Sequence, residues 1–573
     1  MGASNVAQRL LASLGKAGPV EPHFEPAADV PAAGVLCALP ALLACGLLRH
    51  SAAPLQLPRG YYSLPSLLLL LAFMALARLR SVERLRYCAP GEWGNVLGLD
   101  RIPEVRTLRE KIAVLAANSA AVQSWSAGLT QQWLLEDPAS AGTLYVDGHV
   151  RVYHGKLTEL PRRYVARQRL CLRGTTDYWI NGLGGQPFFV VTREIDPGLL
   201  QVLEQEIVPR VEGDLPAAPT ADDAHRFLLV FDRAGYSPAF FARMWRRKVA
   251  CLSYHKFPGA DWPAEQFTAT AVVLPAGEQV DWELCERGSW LSVSAPAAGH
   301  PRGIWLREIR KRNPDGHQVS ILSSDRLTPA PRLAAMMVGR WAQENFFRYM
   351  MEHFSLDRMI SHGTEPIPET IRLPNPARRT LDSQIRSKNS LLTRRLAEFG
   401  ALSYDGTIAP AQIERFEQKK ALLQEQLTAL REQLGALKQQ RTDVPTHVLY
   451  KDLPPEQRFE RLRADSKHFI DTIKMIAYRA ETAMANVLRD VLARTDDARE
   501  LLCALYTNDA DLIPDEHTQT LTVRLHHLAN HMSTAALQHL CDHLTATETV
   551  FPGTNLRLVY ALVSSQSPRD QEV

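Results

Sequence analysis

The sequence predicts an α/β fold, on three observations. Strand-like runs come first between residues 143 and 256 and then alternate with helical ones. Two apolar runs each end on an aspartate, Asp147 and Asp232, and a third acid, Glu344, lies inside a helical pattern. The segments on either side of this region read as helical, so the α/β core is flanked by helical N-terminal and helical or coiled-coil C-terminal regions.

Residues 1–30, rich in Ala, Pro and small polar residues, read as a partly disordered leader. Residues 31–135 read as a helical domain. Within it, 31–48 carry no charge and 67–77 form a second apolar run. A membrane-spanning helix needs about 20 apolar residues, so the second run is too short and the first is broken by Pro40. A buried helical pair is expected; a membrane hairpin is the alternative. After a break at Pro90-Gly91, residues 97–112 have the short-turn, two-helix grammar of a small DNA-binding unit. Arg101, Arg106, Arg109 and Lys111 could meet phosphates there, or line a solvated helix face.

The core is expected over 136–360. Strands are read at 143–153, near 164–181 and at 187–195, a helix at 199–211, the strand ending at Asp232, a helix at 238–249 and a strand at 250–254. With the late carboxylate-bearing helix, this is the element order of an RNase H-like α/β core. Glu344 follows Asp232 by 112 positions, more than a direct crossover needs. Residues 267–325 alternate apolar and polar, so a β-rich insertion is expected at about 260–328. Residues 361–450 read as a Pro-containing linker and an antiparallel helical hairpin, with leucine-type positions at heptad-like steps from Ile413 to Leu437; dimerisation through them is the second reading. Residues 451–573 read as a mostly helical C-terminal domain ending in a strand near 551–562.

Composition limits the function. The 573 residues hold 65 Lys+Arg against 62 Asp+Glu, a net charge of +3, so any nucleic-acid surface must come from local clusters. Eight cysteines stand singly, without a CxxC pair or a secretory signal, which fits a reduced cytoplasm. No GxxxxGK[ST] or GxSxG motif occurs, which disfavours a P-loop ATPase or an α/β-hydrolase. His526, His527, His531, His539, Cys541 and His543 match no zinc-ligand spacing and read as helix-face residues.

A carboxylate at the mouth of a buried strand is costly unless a cation neutralises it. Hard divalent ions such as Mg²⁺ take oxygen ligands, and two ions about 4 Å apart can activate the attacking oxygen and stabilise the leaving one. Three carboxylates suffice if one bridges, and Asp147, on the central strand, is the bridging choice. Arg340, four residues before Glu344, shares its helix face and could orient it or clamp a phosphate. Each acid also has an ordinary reading: Asp147 as a turn former with Gly148, Asp232 as a partner of Arg233, Glu344 as a surface residue.

The segments Tyr145-Val146-Asp147-Gly148-His149, Phe231-Asp232-Arg233-Ala234-Gly235-Tyr236 and Arg340-Trp341-Ala342-Gln343-Glu344-Asn345-Phe346-Phe347 make the chain resemble a bacterial insertion-sequence transposase of the DDE class, the branch whose RNase H-like domain carries a β-rich insertion. The resemblance covers most of the chain. It implies Mg²⁺ or Mn²⁺ held by Asp147, Asp232 and Glu344, cleavage of double-stranded DNA at transposon ends, and transfer of the freed 3′-hydroxyl into target DNA. It also implies a homo-oligomer, at least a dimer in the active complex, in a bacterial cytoplasm at the nucleoid and without a membrane anchor. Relatives with the insertion carry Tyr-x2-Arg-x3-Glu-x6-Lys; Arg340 and Glu344 match, whereas Met337 and Met351 stand at the tyrosine and lysine positions.

Three basic segments flank the proposed site in sequence: Arg162, Arg163, Arg167, Arg169 and Arg173; Arg243, Arg246, Arg247, Lys248 and Lys256; and Arg302, Arg307, Arg310, Lys311 and Arg312. Phosphate neutralisation by them would make DNA binding strongly salt-dependent. Trp290 and Trp305 could stack on an unpaired base, although core packing is the simpler expectation. The rival functions are a nuclease or resolvase that cuts without strand transfer, and a non-catalytic DNA-binding scaffold.

Overall fold

The N-terminal apolar runs fold inward as short helices. The computed structural model describes residues 6–153, 160, 162–165, 170–193, 195–216, 220–275, 277–293, 302–356, 364–402, 410–459, 461–462, 465–492, 497–528 and 531–563. Helix α1 (Leu64–Leu76) is capped by Ser63, whose side chain accepts from the Ser66 amide at 3.2 Å, and it is buried along nearly its whole length. At 13 residues it is far short of a bilayer span, and among the described residues no helix is long and apolar enough to cross a membrane. Helices α2 (Val105–Ala117) and α3 (Ser119–Glu136) follow, with Leu108, Ile112, Trp125, Leu129 and Trp133 turned inward at helical spacing.

The chain then builds a ten-stranded mixed sheet. Its strands are β1 (Thr143–Val152), β2 (Leu170–Asn181), β3 (Pro187–Arg193), β4 (Phe227–Val230), β5 (Val249–Tyr254), β6 (Thr268–Val273), β7 (Gln279–Ser292), β8 (Gly303–Arg312), β9 (Gln318–Ser323) and the short edge strand Arg162–Val165. The order is β3-β2-β1-β4-β5-β9-β8-β7-β6, with Arg162–Val165 also on β2. β1 pairs antiparallel with β2 and parallel with β4, and β4 pairs parallel with β5. The all-apolar run Phe227–Val230 suits a strand covered on both faces. The crossover from β4 to the parallel β5 passes through α4 (Pro238–Arg246), capped by Ser237.

The β-rich segment does not stand apart from the core. β9 pairs antiparallel with β5, so the meander β6–β9 continues the core sheet, and its longest strand, β7, runs unbroken over 14 residues. Helices α5 (Ala330–Val338) and α6 (Trp341–Phe354) follow.

The described residues fall into two units, one within Met1–Tyr153, Arg162–Gly363 and Leu462–Val573, the other within His154–Pro161 and Thr364–Arg461. The second holds α7 (Pro376–Gly400) and α8 (Pro410–Asp443). Arg378, at the start of α7, donates to the Arg441 carbonyl near the end of α8, and Asp382 pairs with Arg441 at 3.4 Å, so the two helices run antiparallel. Leu423, Leu427, Leu430 and Leu434 are buried along α8.

In the first unit, α9 (Asp465–Arg489) packs against α1, α2 and β3. Strands β10 (Ala510–Asp515), β11 (Thr520–Leu525) and β12 (Arg557–Leu562) form a small sheet, and the strand Ala27–Val30 adds to its edge through Ala27↔Leu512 and Val30↔Ala510. Residues read from sequence as a leader and as a helical C-terminal region thus share one sheet, because edge-strand hydrogen bonding takes no account of separation along the chain.

Candidate active site

Parallel pairing puts the two aspartates side by side. Tyr145 on β1 stands opposite Val230 on β4, the last pair of the parallel ladder, and two residues beyond each come Asp147, midway along β1, and Asp232, just past the end of β4. Asp147 is half-buried and accepts from the Gly148 amide at 2.9 Å. Asp232 accepts from the Ala234 amide at 2.9 Å, capping the 3₁₀ turn Arg233–Gly235 that leads the chain away from the sheet. The Asp232 carbonyl accepts from Ser253 Oγ on β5, which ties down the strand end.

The third acid is brought over the sheet by an anchored helix. Gln343, buried at the start of α6, donates through Nε2 to the carbonyls of Tyr145 and Trp179 at 3.3 and 3.0 Å and to Asn181 Oδ1 at 3.1 Å. One side chain therefore fixes α6 to β1 and β2. Tyr145 Oη donates to the Met336 carbonyl at 2.8 Å, tying the preceding helix to the same strand. Gly339 lies between the helices, where a β-carbon would come within 2.7 Å of Tyr145 Oη, so only glycine allows this approach. Phe346 packs on Trp179 and Phe347 stacks on His149, with centroids 5.3 Å apart in both pairs.

This leaves Glu344, next to the anchor, on the exposed side, with its side chain 49% accessible and its carboxylate 3.6 Å from the Arg340 guanidinium. Burial pushes Asp147 up from 3.8 to about 6; Arg340 opposes the shift, and Asp232 and Glu344 add to it. The Asp147 carboxyl thus feels both other acids and the arginine that separates them from full repulsion. The trio offers only carboxylate oxygens, the donor set of a hard divalent cation, and a cation among them would relieve the charge that raises Asp147. The three carboxylates have not closed to a common sphere. Among the described residues, Asp29, Asp511 and His526 form the one group of three such side chains with ligand atoms all within 4.8 Å of one another. There Asp511 already accepts from the Asp29 amide, Arg524 and His526, so its charge is answered within the protein.

The residues read as DNA contacts have diverse surroundings. Arg101 is exposed before α2. Arg106 pairs with Glu110 at 3.0 Å and Arg109 with Glu83. Arg162 is exposed on its edge strand, and the side chain of Arg163, with Arg167 and Arg169, lies outside the described residues. Arg243 grips Glu204 through two hydrogen bonds of 2.6 and 2.8 Å, Arg247 grips Glu212, and Lys248 donates to the Ala221 and Asp222 carbonyls, whereas Arg246 on the same helix is exposed. Lys311 lies 4.0 Å from the centre of the Trp282 ring.

Two expectations are corrected. Arg310 is only 2% exposed and donates to Glu308, Gln318 and the Pro258 and Ala260 carbonyls, so it serves the sheet extension and cannot reach a phosphate. Burial would raise Glu308, but His255 at 3.6 Å and hydrogen bonds from Arg310 and Ser320 hold it down at about 2. Trp290 and Trp305 are not core residues: paired across β7 and β8, they are 48% and 60% exposed, with ring centres 5.5 Å apart.

Sequence reasoning passed over Gln343, Asn181 and Gly339. Their only trace is an amide one position before the acid, an asparagine closing a strand, and a glycine between two helical runs. A family model described as transposase protein matches residues 1–564, while no curated protein matches the chain.

Proposed function

Because the chain belongs to this family of transposase proteins, whose partner is DNA, we propose that it is a DDE-type enzyme that cuts transposon ends and transfers the 3′-hydroxyl to target DNA. The core strand order β3-β2-β1-β4-β5, with three antiparallel strands followed by two parallel ones, supports an RNase H-like reading. The observation that carries the proposal is geometric: the β1–β4 ladder puts Asp147 beside Asp232, and Gln343 fastens the helix of Glu344 to β1, bringing together elements whose acids lie 85 and 197 positions from Asp147 in sequence. Ligands in open α/β sheets bind beyond the carboxyl ends of the strands; Asp232 stands there, and Asp147 faces the same place where the parallel pairing of β1 with β4 ends.

Asp147, Asp232 and Glu344 would hold Mg²⁺ or Mn²⁺, with Asp147 central. The bound ions would activate the attacking oxygen and stabilise the leaving oxygen of the phosphodiester. Arg340 holds Glu344 from one side and so positions it until the site is loaded. Gln343 keeps α6 in register with β1, so Glu344 faces the strand mouth rather than sliding along it. Exposed Arg101 and Arg162 are the best-placed phosphate contacts of those read from sequence. The working complex is a homo-oligomer in the bacterial cytoplasm, as pairing of two DNA ends requires.

The test is Mg²⁺-dependent cleavage and joining of DNA carrying the flanking terminal repeats. Asp147→Asn, Asp232→Asn and Glu344→Gln should each lower cleavage by roughly 10³-fold or more while DNA affinity holds, since loss of a charge-stabilising group costs on that scale. Cleavage retained by any one of them removes that residue from the site. Nicked but never joined product would favour the nuclease reading.

A further inference from the structure

Helix α7 carries a charge pattern that the hairpin itself does not need. Its inner face is marked by buried Ile385 and by Leu381, Leu392 and Phe399, all partly buried and on the same side of the helix. On the opposite side Arg379, Arg386 and Arg394 follow one another at seven and eight residues, close to two helical turns each, and all three are exposed. Ser383, Ser387 and Ser390 fill the gaps, and all are exposed. The helix has two acids, and both are taken up elsewhere: Asp382 pairs with Arg441, and Glu398 with Arg395. The stripe therefore keeps its positive charge.

Helix α8 shows the reverse. Glu425 stands midway between buried Leu423 and Leu427, and Glu432 midway between buried Leu430 and Leu434, which puts both on the face turned away from the leucine seam. Exposed Glu414 continues this acidic line. The hairpin thus has one basic and one acidic outer face, and only the basic one can approach a polyanion.

We infer that the outer face of α7 binds the phosphate backbone of duplex DNA through Arg379, Arg386 and Arg394. At a rise of 1.5 Å per residue the arginines are roughly 10 and 12 Å apart along the axis, a spacing that spans alternate phosphates of one strand. Arginine and serine are the side chains that contact phosphates without reading bases. A second copy of the chain fits less well, because protein interfaces have an apolar centre and this stripe has no large apolar residue among its arginines. The inference rests on duplex DNA being the partner but not on any metal chemistry.

The experiment measures affinity of the full chain for a 40-base-pair duplex of arbitrary sequence across a salt series, with chelator present so that cleavage plays no part. Each of Arg379→Gln, Arg386→Gln and Arg394→Gln should reduce the slope of log affinity against log salt by about 1, and the triple variant by about 3, with roughly tenfold or greater weakening. Glu414→Gln with Glu425→Gln and Glu432→Gln should leave binding unchanged or tighten it. Circular dichroism should show unchanged helix content, since every substituted side chain is exposed. An unaltered slope in the folded triple variant overturns the assignment, and so does a drop in sedimentation mass without a change in slope, which would give the face to self-association. Loss of cleavage in Asp147→Asn leaves this salt slope untouched, so failure of the metal site and failure of the α7 surface are read separately.

Discussion

Asp147 and Asp177 sit on neighbouring strands of one sheet and have opposite electrostatics. Asp147, where the parallel strands part, is raised to about 6, first by burial, with two acids adding to the shift and one arginine opposing it. Asp177, on β2, is fully buried, yet its carboxyl is held below the usual range: burial alone would raise it, but Arg151 on β1 donates to both its oxygens. Lys467 and Asp471 of α9 pair beside them, and burial pushes His468 down to about 4. A charge buried for architecture is compensated by its neighbours, whereas the acids at the strand mouth are left in excess. That excess is the reason for proposing a cation there.

The sharpest way to break this contrast is Asp177→Asn. Removing one member of a buried pair strands the Arg151 guanidinium and should cost about 3–5 kcal/mol in urea unfolding. A cost below about 1 kcal/mol would mean that Asp471 can serve Arg151 instead. Replacing both partners, Arg151→Met with Asp177→Leu, should recover much of the loss, because two matched apolar groups need no compensation.

The pH dependence should differ in sign between the two acids. The Asp147 pKa is raised on folding, so its contribution is fully present below about 4 and is lost as pH rises through about 6. With divalent cations removed, the loss should be on the order of 2 kcal/mol after allowance for its partial exposure, and Asp147→Asn should abolish that slope. Asp177 is lowered on folding, so its contribution is present above 3.8 and fades as pH falls below it. Stability curves of Asp147→Asn and the parent chain that run parallel between pH 4 and 6.5 would show that the strand mouth holds no excess charge.

A smaller effect is expected at the link between the two regions. Gln343→Leu leaves the Tyr145 and Trp179 carbonyls and Asn181 without their shared donor and should cost about 1–3 kcal/mol. Its activity should fall further than its stability, because α6 loses its register against β1. Equal activity at a temperature where the variant is fully folded would show that the anchor serves stability alone.

Much of the sheet was legible in the sequence because its signals are local. The β-branched and aromatic run at 143–146, the unbroken apolar run 227–231 and the alternation at 304–309 mark strands whatever surrounds them. Asp147, Asp232 and Glu344 were legible as acids in apolar or helical settings. The fate of the basic residues was not. Arg243 and Arg310 look alike in sequence, yet one grips Glu204 at half exposure and the other is enclosed beneath the sheet extension. Trp290 and Trp305 were read as core by residue type, and only the pairing of β7 with β8 puts them outward.

By itself, the sequence determined the local terms: where apolar spacing makes a helix or a strand, that α1 is too short for a membrane, and which acids stand at the ends of apolar runs. Tertiary structure decided which charges meet. The strand Ala27–Val30 finds its partner 480 or more positions away, and Asp147 takes its raised pKa from burial in the packed sheet, with acids on other elements adding to it. Hydrogen bonds and apolar spacing repeat over a few residues and so leave a trace in the chain, whereas electrostatic pairing depends on distance in space, which only the packed sheet and its helices define.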